Sequence, residues 1–323
     1  MEANSPGPMK NGYLIALLLI LSMGSLLIGA KPVSLGGFFQ GGETEVLVMA
    51  LSRIPRLLSI LMTGMALSIS GLIMQQITRN KFVSPTTAAT MDSARMGILF
   101  AMVILPAATT IEKMMIAFAF ALAGTFLFMY ILGKIKAKNV IIIPLMGLML
   151  GNLIDSVTTF FAYRFDLVQN VNSWLQGSFS MVTKGRYEII FISLPLLAIA
   201  WVYANKFTIA GMGEDFARNL GLNYRLIVNV GLALVALISS AVLVTVGNIP
   251  FIGLIIPNIV TMVRGDHVRN NLATTALLGA VFVLVCDMLG RVLIWPYEIS
   301  ISLTAGVIGS IIFLYLILKG VKH

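Results

Sequence analysis

The chain has 323 residues, 58% of them hydrophobic and 11% charged, where a soluble domain carries about 25% charged residues. No soluble core absorbs that excess, whereas a hydrocarbon surround gives spans of about 20 apolar residues a physical reason to exist. The net charge of +9 lies in short stretches between apolar spans rather than in an aromatic-interleaved basic patch, which argues against nucleic acid as a partner and for membrane lipid as the surround.

Inside a bilayer the backbone must satisfy its own hydrogen bonds, so the expected class is all-α, a polytopic membrane protein. The alternating ten-residue strands of a membrane barrel are not seen. Residues 1–11 read as an N-terminal tail, and 12–323 as a single transmembrane domain of about ten helices. In chain order the spans are 12–30, 54–78, 87–106, 113–133, 140–162, 188–205, 226–247, 249–264, 272–292 and 300–319. The first is too long, and too poor in a cleavage signal, for a secretory leader, and reads as a retained helix. The eighth is short and carries Pro250 and Pro257, which predicts a broken or partial crossing. The polar stretch Tyr163 to Tyr187 holds Trp174 and predicts a short interfacial helix.

Lys134, Lys136 and Lys138, between spans four and five, are the strongest local positive-inside signal and predict both termini in the cytoplasm. Gly147 with Gly151, and Gly306 with Gly309, suit close helix packing in lipid, although a glycine-rich membrane protein places such pairs by chance as well. The single Cys286 excludes an intrachain disulfide.

Charges inside spans are costly and therefore informative. Asp287 and Arg291, four apart, are spaced to form an intramembrane ion pair. Asp92 and Arg95, three apart, are spaced to pair as well. Asp155 has no local partner; with Asn152, Ser156 and Thr159 it makes a polar stripe that either lines a passage or bonds between helices. Arg53 and Arg56 share one helix face at the outer end of span two, as interfacial anchors or as partner contacts. Between spans six and seven the segment GEDFARNLGLN is short, polar and amphipathic. Ala217, Leu220 and Leu222 are expected to face a partner while Glu214, Asp215 and Arg218 stay solvated. No GxxxxGK[ST] nucleotide motif and no redox, zinc or haem spacing occurs, so no metal or catalytic residue is expected.

Three segments carry a likeness: SRIPRLLSILMTGMALSISGLIMQQITRNKFVSPTTA from Ser52, GMGEDFARNLGLNYR from Gly211, and GNIPFIGLIIPNIVTMVRGDHVRNNLATTALLGAVFVLVCDMLGRVLI from Gly247. In order and spacing the chain resembles the FecCD permeases of type II ABC importers, which take up iron–siderophores, haem and vitamin B12. The resemblance implies a ten-helix subunit paired with a second permease subunit, the same chain or a homologous one. It also implies two cytosolic ATPase subunits and an extracytoplasmic substrate-binding protein. It makes Gly213, Glu214, Ala217, Leu220 and Gly221 part of the ATPase coupling segment, and Arg53, Arg56 and Arg291 the contacts to the binding protein. It places span five, with Asn152, Asp155, Ser156 and Thr159, beside the pathway. The chain itself is then a non-catalytic transport subunit of the bacterial cytoplasmic membrane that binds no cofactor, with ATP-Mg on its partners and an iron–siderophore complex as cargo. A vitamin B12 or haem permease is the alternative within the class; a proton-coupled secondary transporter using Asp155 or Asp287 is the alternative outside it. The TMDSARMGIL stretch opening span three departs from the Gly- and Ser-rich sequence usual there.

Overall fold

The structure is a computed structural model and describes residues 11–29, 43–134, 142–185 and 187–320. The tail 1–10, and Lys136 and Lys138 of the loop that sets the expected orientation, lie outside the described residues. Among the described residues the chain is helical throughout: α1 (Asn11–Leu27), α2 (Glu43–Val48) running through a π turn (Met49–Arg53) into α3 (Ile54–Thr78), α4 (Thr90–Ile104), α5 (Thr110–Lys134), α6 (Ile142–Arg164), α7 (Val168–Leu175), a 3-10 turn (Glu188–Ile192) leading into α8 (Ser193–Met212), α9 (Glu214–Asn219), α10 (Tyr224–Thr245), α11 (Ile252–Arg264), α12 (Val268–Val292) and α13 (Ile301–Gly320).

Seven of these are long and apolar enough to cross a membrane; α1, α4 and α11 are shorter. Each of the ten predicted spans has its helix, and α7 falls in the polar stretch around Trp174. At 13 residues α11 rises about 20 Å and cannot cross alone, as expected of a span with Pro250 just before the helix and Pro257 within it. The sixth span runs on to Met212, past the end expected at 205, because Phe207 and Ala210 are buried against the bundle and continue its inner face.

Local chemistry sets the helix ends. Pro55 follows directly on the π turn, so its missing N–H falls where the helical hydrogen-bond ladder already changes register rather than in a regular run. Thr109 and Glu112 form a reciprocal capping box on α5, with the Thr109 N–H donating to Glu112 Oε2 at 2.6 Å and the Glu112 N–H to Thr109 Oγ1 at 3.3 Å. Asn223 caps α10 by accepting the Leu226 N–H at 3.1 Å.

The centre of the molecule is α3, which packs against α12, α11, α10 and α8. Its contacts are backbone-close. Pro257 leaves the Gly253 carbonyl of α11 without its donor four residues on, and that carbonyl lies against the bare Cα of Gly71, where any Cβ would overlap it. On the neighbouring face, a Cβ at Gly64 would meet the Gly279 carbonyl of α12 at 2.5 Å. Gly147 of α6 packs in the same way on the Thr87 carbonyl. Small residues thus let helices approach where lipid supplies no hydrophobic drive between them.

Candidate functional site

Three groups of residues carry chemistry, and α3 joins two of them. At 25 residues it separates its ends by roughly 37 Å. At its N-terminal end stand Arg53 and Arg56; at its C-terminal end Gln76 and Arg79 lie against Gly211 and Gly213, next to α9.

The arginine end is a linked ion cluster. Arg56 Nη2 bonds Asp287 Oδ1 at 2.8 Å and Nε bonds the same oxygen at 3.3 Å. Its Nη1 donates to both carboxylate oxygens of Glu298, each at 2.9 Å. Asp287 Oδ2 forms an ion pair with Arg291 Nη2 at 2.8 Å, the pair expected from their spacing on α12. Arg291 is buried and reaches across to the end of α1, donating to the carbonyls of Ser25 at 2.9 Å and Ile28 at 2.7 Å. Arg53 also turns inward, its Nη1 on the Leu26 carbonyl. These two arginines therefore spend donors on tying down α1, while Arg56 stands between a buried carboxylate and a half-buried one. A cavity of about 310 Å³ opens among them, lined by Arg53, Arg56, Arg291, Glu298 and the serines Ser25, Ser52 and Ser180. Glu298 lies beyond α12 in the loop to α13 and carries no sequence signal of its own. Only the fold brings it to Arg56, 242 residues away.

At the opposite end, α9 is a single short turn bracketed by Gly213 and Gly221, whose φ angles of 124° and 75° a side chain would strain. Glu214 and Arg218 pair across it at 2.6 Å and stay solvated. The expected partner-facing set changes in part. Ala217 is fully buried and faces the protein's own helices, because α10 and α8 pack on that side; Phe216 and Leu220 hold the exposed apolar surface. Phe216 escaped the sequence reading although it lies on the same amphipathic turn. Beside α9 a cavity of about 530 Å³ is lined by Gln76, Arg79, Lys81, Asp266 and His267, with Lys81 and Asp266 paired at 3.0 Å.

The third group lies at membrane depth. Asp155 of α6 pairs with Arg95 of α4, and Arg95 Nη2 reaches Asn172 of α7 at 3.3 Å. The spacing of Asp92 and Arg95 suggests a local pair, but the described ion pair is across helices, 60 residues apart; Asp92 instead lies against Gly151. Tertiary packing has overridden the i,i+3 rule, since α6 offers Arg95 a better-placed carboxylate. Ser156 bonds back to the Asn152 carbonyl at 2.8 Å and Thr158 to Ile154 at 2.7 Å, so both hydroxyls are spent within their own helix. Asn152 and Ser156 are exposed on α6, and Thr159 is half-buried. Among the described residues no cluster of His, Cys, Asp and Glu is placed to hold a metal.

Residues 16–319 match the FecCD transport family. The chain is a member of the FecCD transport family. It is 57% identical to the petrobactin import system permease protein YclN of Bacillus subtilis (strain 168), over 96% of this chain and 98% of that protein. It is 40% identical to the ferric-anguibactin transport system permease protein FatD of Vibrio anguillarum, over 92% and 95% of the two chains. A solved structure described as an inward-facing, metal-chelate type ABC transporter superposes with a TM-score of 0.82 at 24% identity, covering 96% of this chain and 98% of that one, and shares the fold.

Proposed function

We propose that this multi-pass FecCD protein is the permease subunit of an ABC importer that carries an iron–siderophore complex into the cytoplasm. The observation that carries the reading is the full-length likeness to a petrobactin import permease at 57% identity. Ferric petrobactin is accordingly the first cargo to test. The chain has no nucleotide motif, so separate ATPase subunits supply the energy and hold ATP-Mg. They seat on α9, where exposed Phe216 and Leu220 beside a charged turn suit a groove on a partner. The arginine end faces the extracytoplasmic side, and both termini are cytoplasmic. There the binding protein presents carboxylates to the arginine-lined cavity, where guanidinium pairing gives orientation as well as attraction. Between the two ends, the polar edge of α6 faces a passage shared with a second permease subunit. The cargo needs only weak contacts on that wall, since a tight site would slow its release.

A proton-coupled carrier would need an intramembrane carboxylate free to change partner with each proton. Asp155 and Asp287 both hold arginines, which favours a structural role for each. The deciding experiment reconstitutes the permease in proteoliposomes with its neighbouring ATPase and binding protein and follows labelled ferric siderophore. Uptake is expected only with ATP and binding protein together. Uptake driven by a pH gradient without ATP would overturn the proposal.

A further inference from the structure

We propose that Glu298 is a built-in occupant of the docking site, holding Arg56 until a carboxylate of the incoming binding protein takes its place. The inference rests on the docking reading above and adds a step to it. All three side-chain nitrogens of Arg56 are engaged: Nε and Nη2 by Asp287, Nη1 by both oxygens of Glu298. One Nη2 hydrogen is left over, so an arriving carboxylate gains a two-bonded, bidentate pair with Arg56 only by displacing one of the two. Asp287 cannot leave. Its side chain is 3% exposed and also holds Arg291, so its departure would strand a buried charge. The Glu298 side chain is 29% exposed and opens on the same cavity as the three arginines.

The backbone around Glu298 confines the movement to its side chain. The Tyr297 N–H donates to the Ile294 carbonyl at 2.8 Å, and the Ile299 N–H donates to the Gly290 carbonyl at 2.9 Å. Glu298 thus swings by rotating its own bonds while the loop stays in place. The exchange trades one guanidinium–carboxylate pair for another, so Arg56 keeps an anionic partner throughout. The released carboxylate turns to water. In the undocked state the same contact lowers the positive field of the cavity, which guards the arginines against stray anions and makes engagement selective for a partner that presents its own carboxylate in register.

The test titrates binding protein against the complete transporter in nanodiscs, with the wild type, Glu298→Gln, Glu298→Ala and Arg56→Gln compared at low and high salt. Both Glu298 variants are expected to lower the half-saturating concentration by up to about fivefold, the worth of a partly exposed ion pair. Their affinity should also fall more steeply with salt, because the cavity then carries one more uncompensated positive charge. Weaker docking in both Glu298 variants would show that Glu298 merely positions Arg56 and would overturn the exchange. Unchanged affinity in both, with Arg56→Gln weakened, would also overturn it and leave the docking reading standing. If Arg56→Gln docks like the wild type, the docking reading itself fails. A thermal melt of each variant checks that the permease remains folded.

Discussion

Asp287 is the residue on which the outer end of the bundle turns. It is buried and sits between Arg56 of α3 and Arg291 of its own helix, and Arg291 in turn holds the last carbonyls of α1. Replacing it with Asn leaves two guanidinium groups facing each other without their shared anion. Breaking a buried pair in this way costs about 3–5 kcal/mol, so Asp287→Asn should melt well below the wild type in detergent; an unchanged midpoint would show the cluster to be hydrated and weak. Arg56→Glu belongs to the same scale but to function. It places a third carboxylate beside Asp287 and Glu298, and stimulation of hydrolysis by loaded binding protein should fall sharply, with the wild-type response shrinking as salt screens the contact over about 8 Å. Full stimulation of that variant would make Arg56 a structural member of the ion cluster with no part in docking. The spacing of Asp287 and Arg291 was legible because they lie one turn apart on one helix. Arg56, Glu298 and the α1 carbonyls were not, because their approach depends on how α1, α3 and α12 pack, which no local pattern encodes. The same limit explains Arg95, whose nearest acidic neighbour in sequence is Asp92 and whose partner in space is Asp155.

At the scale of elements, two contacts make opposite demands on side-chain size. The α3–α11 crossing leaves no room for a methyl group at Gly71, since the Gly253 carbonyl occupies the site. Overpacking a tight contact costs about 1–3 kcal/mol, and here the obstacle is backbone, which yields less than a side chain. Gly71→Ala should therefore reduce folded yield and lower the melting point, whereas Gly12→Ala, with open space around it, should do neither; equal behaviour of the two would refute the crossing. Turn α9 makes the opposite demand, for apolar surface left uncovered. Leu220→Asp puts a charge on an exposed position, so insertion and folding should survive while binding-protein-stimulated hydrolysis is lost. Normal uptake, with ATPase co-purifying at wild-type yield, would remove α9 from the coupling path. The helices themselves were readable from hydropathy alone, because lipid makes long apolar runs obligatory. The inward face of Ala217 was not, since a six-residue turn is oriented by α8 and α10 rather than by its own pattern.

Across the whole molecule, burial is uneven in a way that points to missing neighbours. The most apolar windows of α3 and α10 are 78% and 72% buried, while that of α6 is only 17% buried. A lipid-facing helix with so little cover should be apolar all round, yet α6 exposes Asn152 and Ser156 among Leu148, Met149 and Leu153. Polar groups at membrane depth belong against protein or a water-filled cavity rather than hydrocarbon. The Ser156 hydroxyl proton goes to the Asn152 carbonyl, a back-bond open to serine in lipid as well, so the exposed Asn152 amide is the polar group that a lipid face leaves unexplained. The proposed passage explains it. In the assembled transporter, Ser156→Cys should then react with a membrane-impermeant maleimide, and the rate should change when ATP is added, as the passage opens to one side and closes to the other. Leu127→Cys on α5, exposed on an all-apolar stretch with Phe126 and Tyr130, should stay unlabelled. Background from the native thiol is small, because Cys286 is fully buried. Equal protection of both cysteines in every nucleotide state would mean that the polar edge of α6 packs against the second permease subunit without a water path, and that the cargo crosses along another wall.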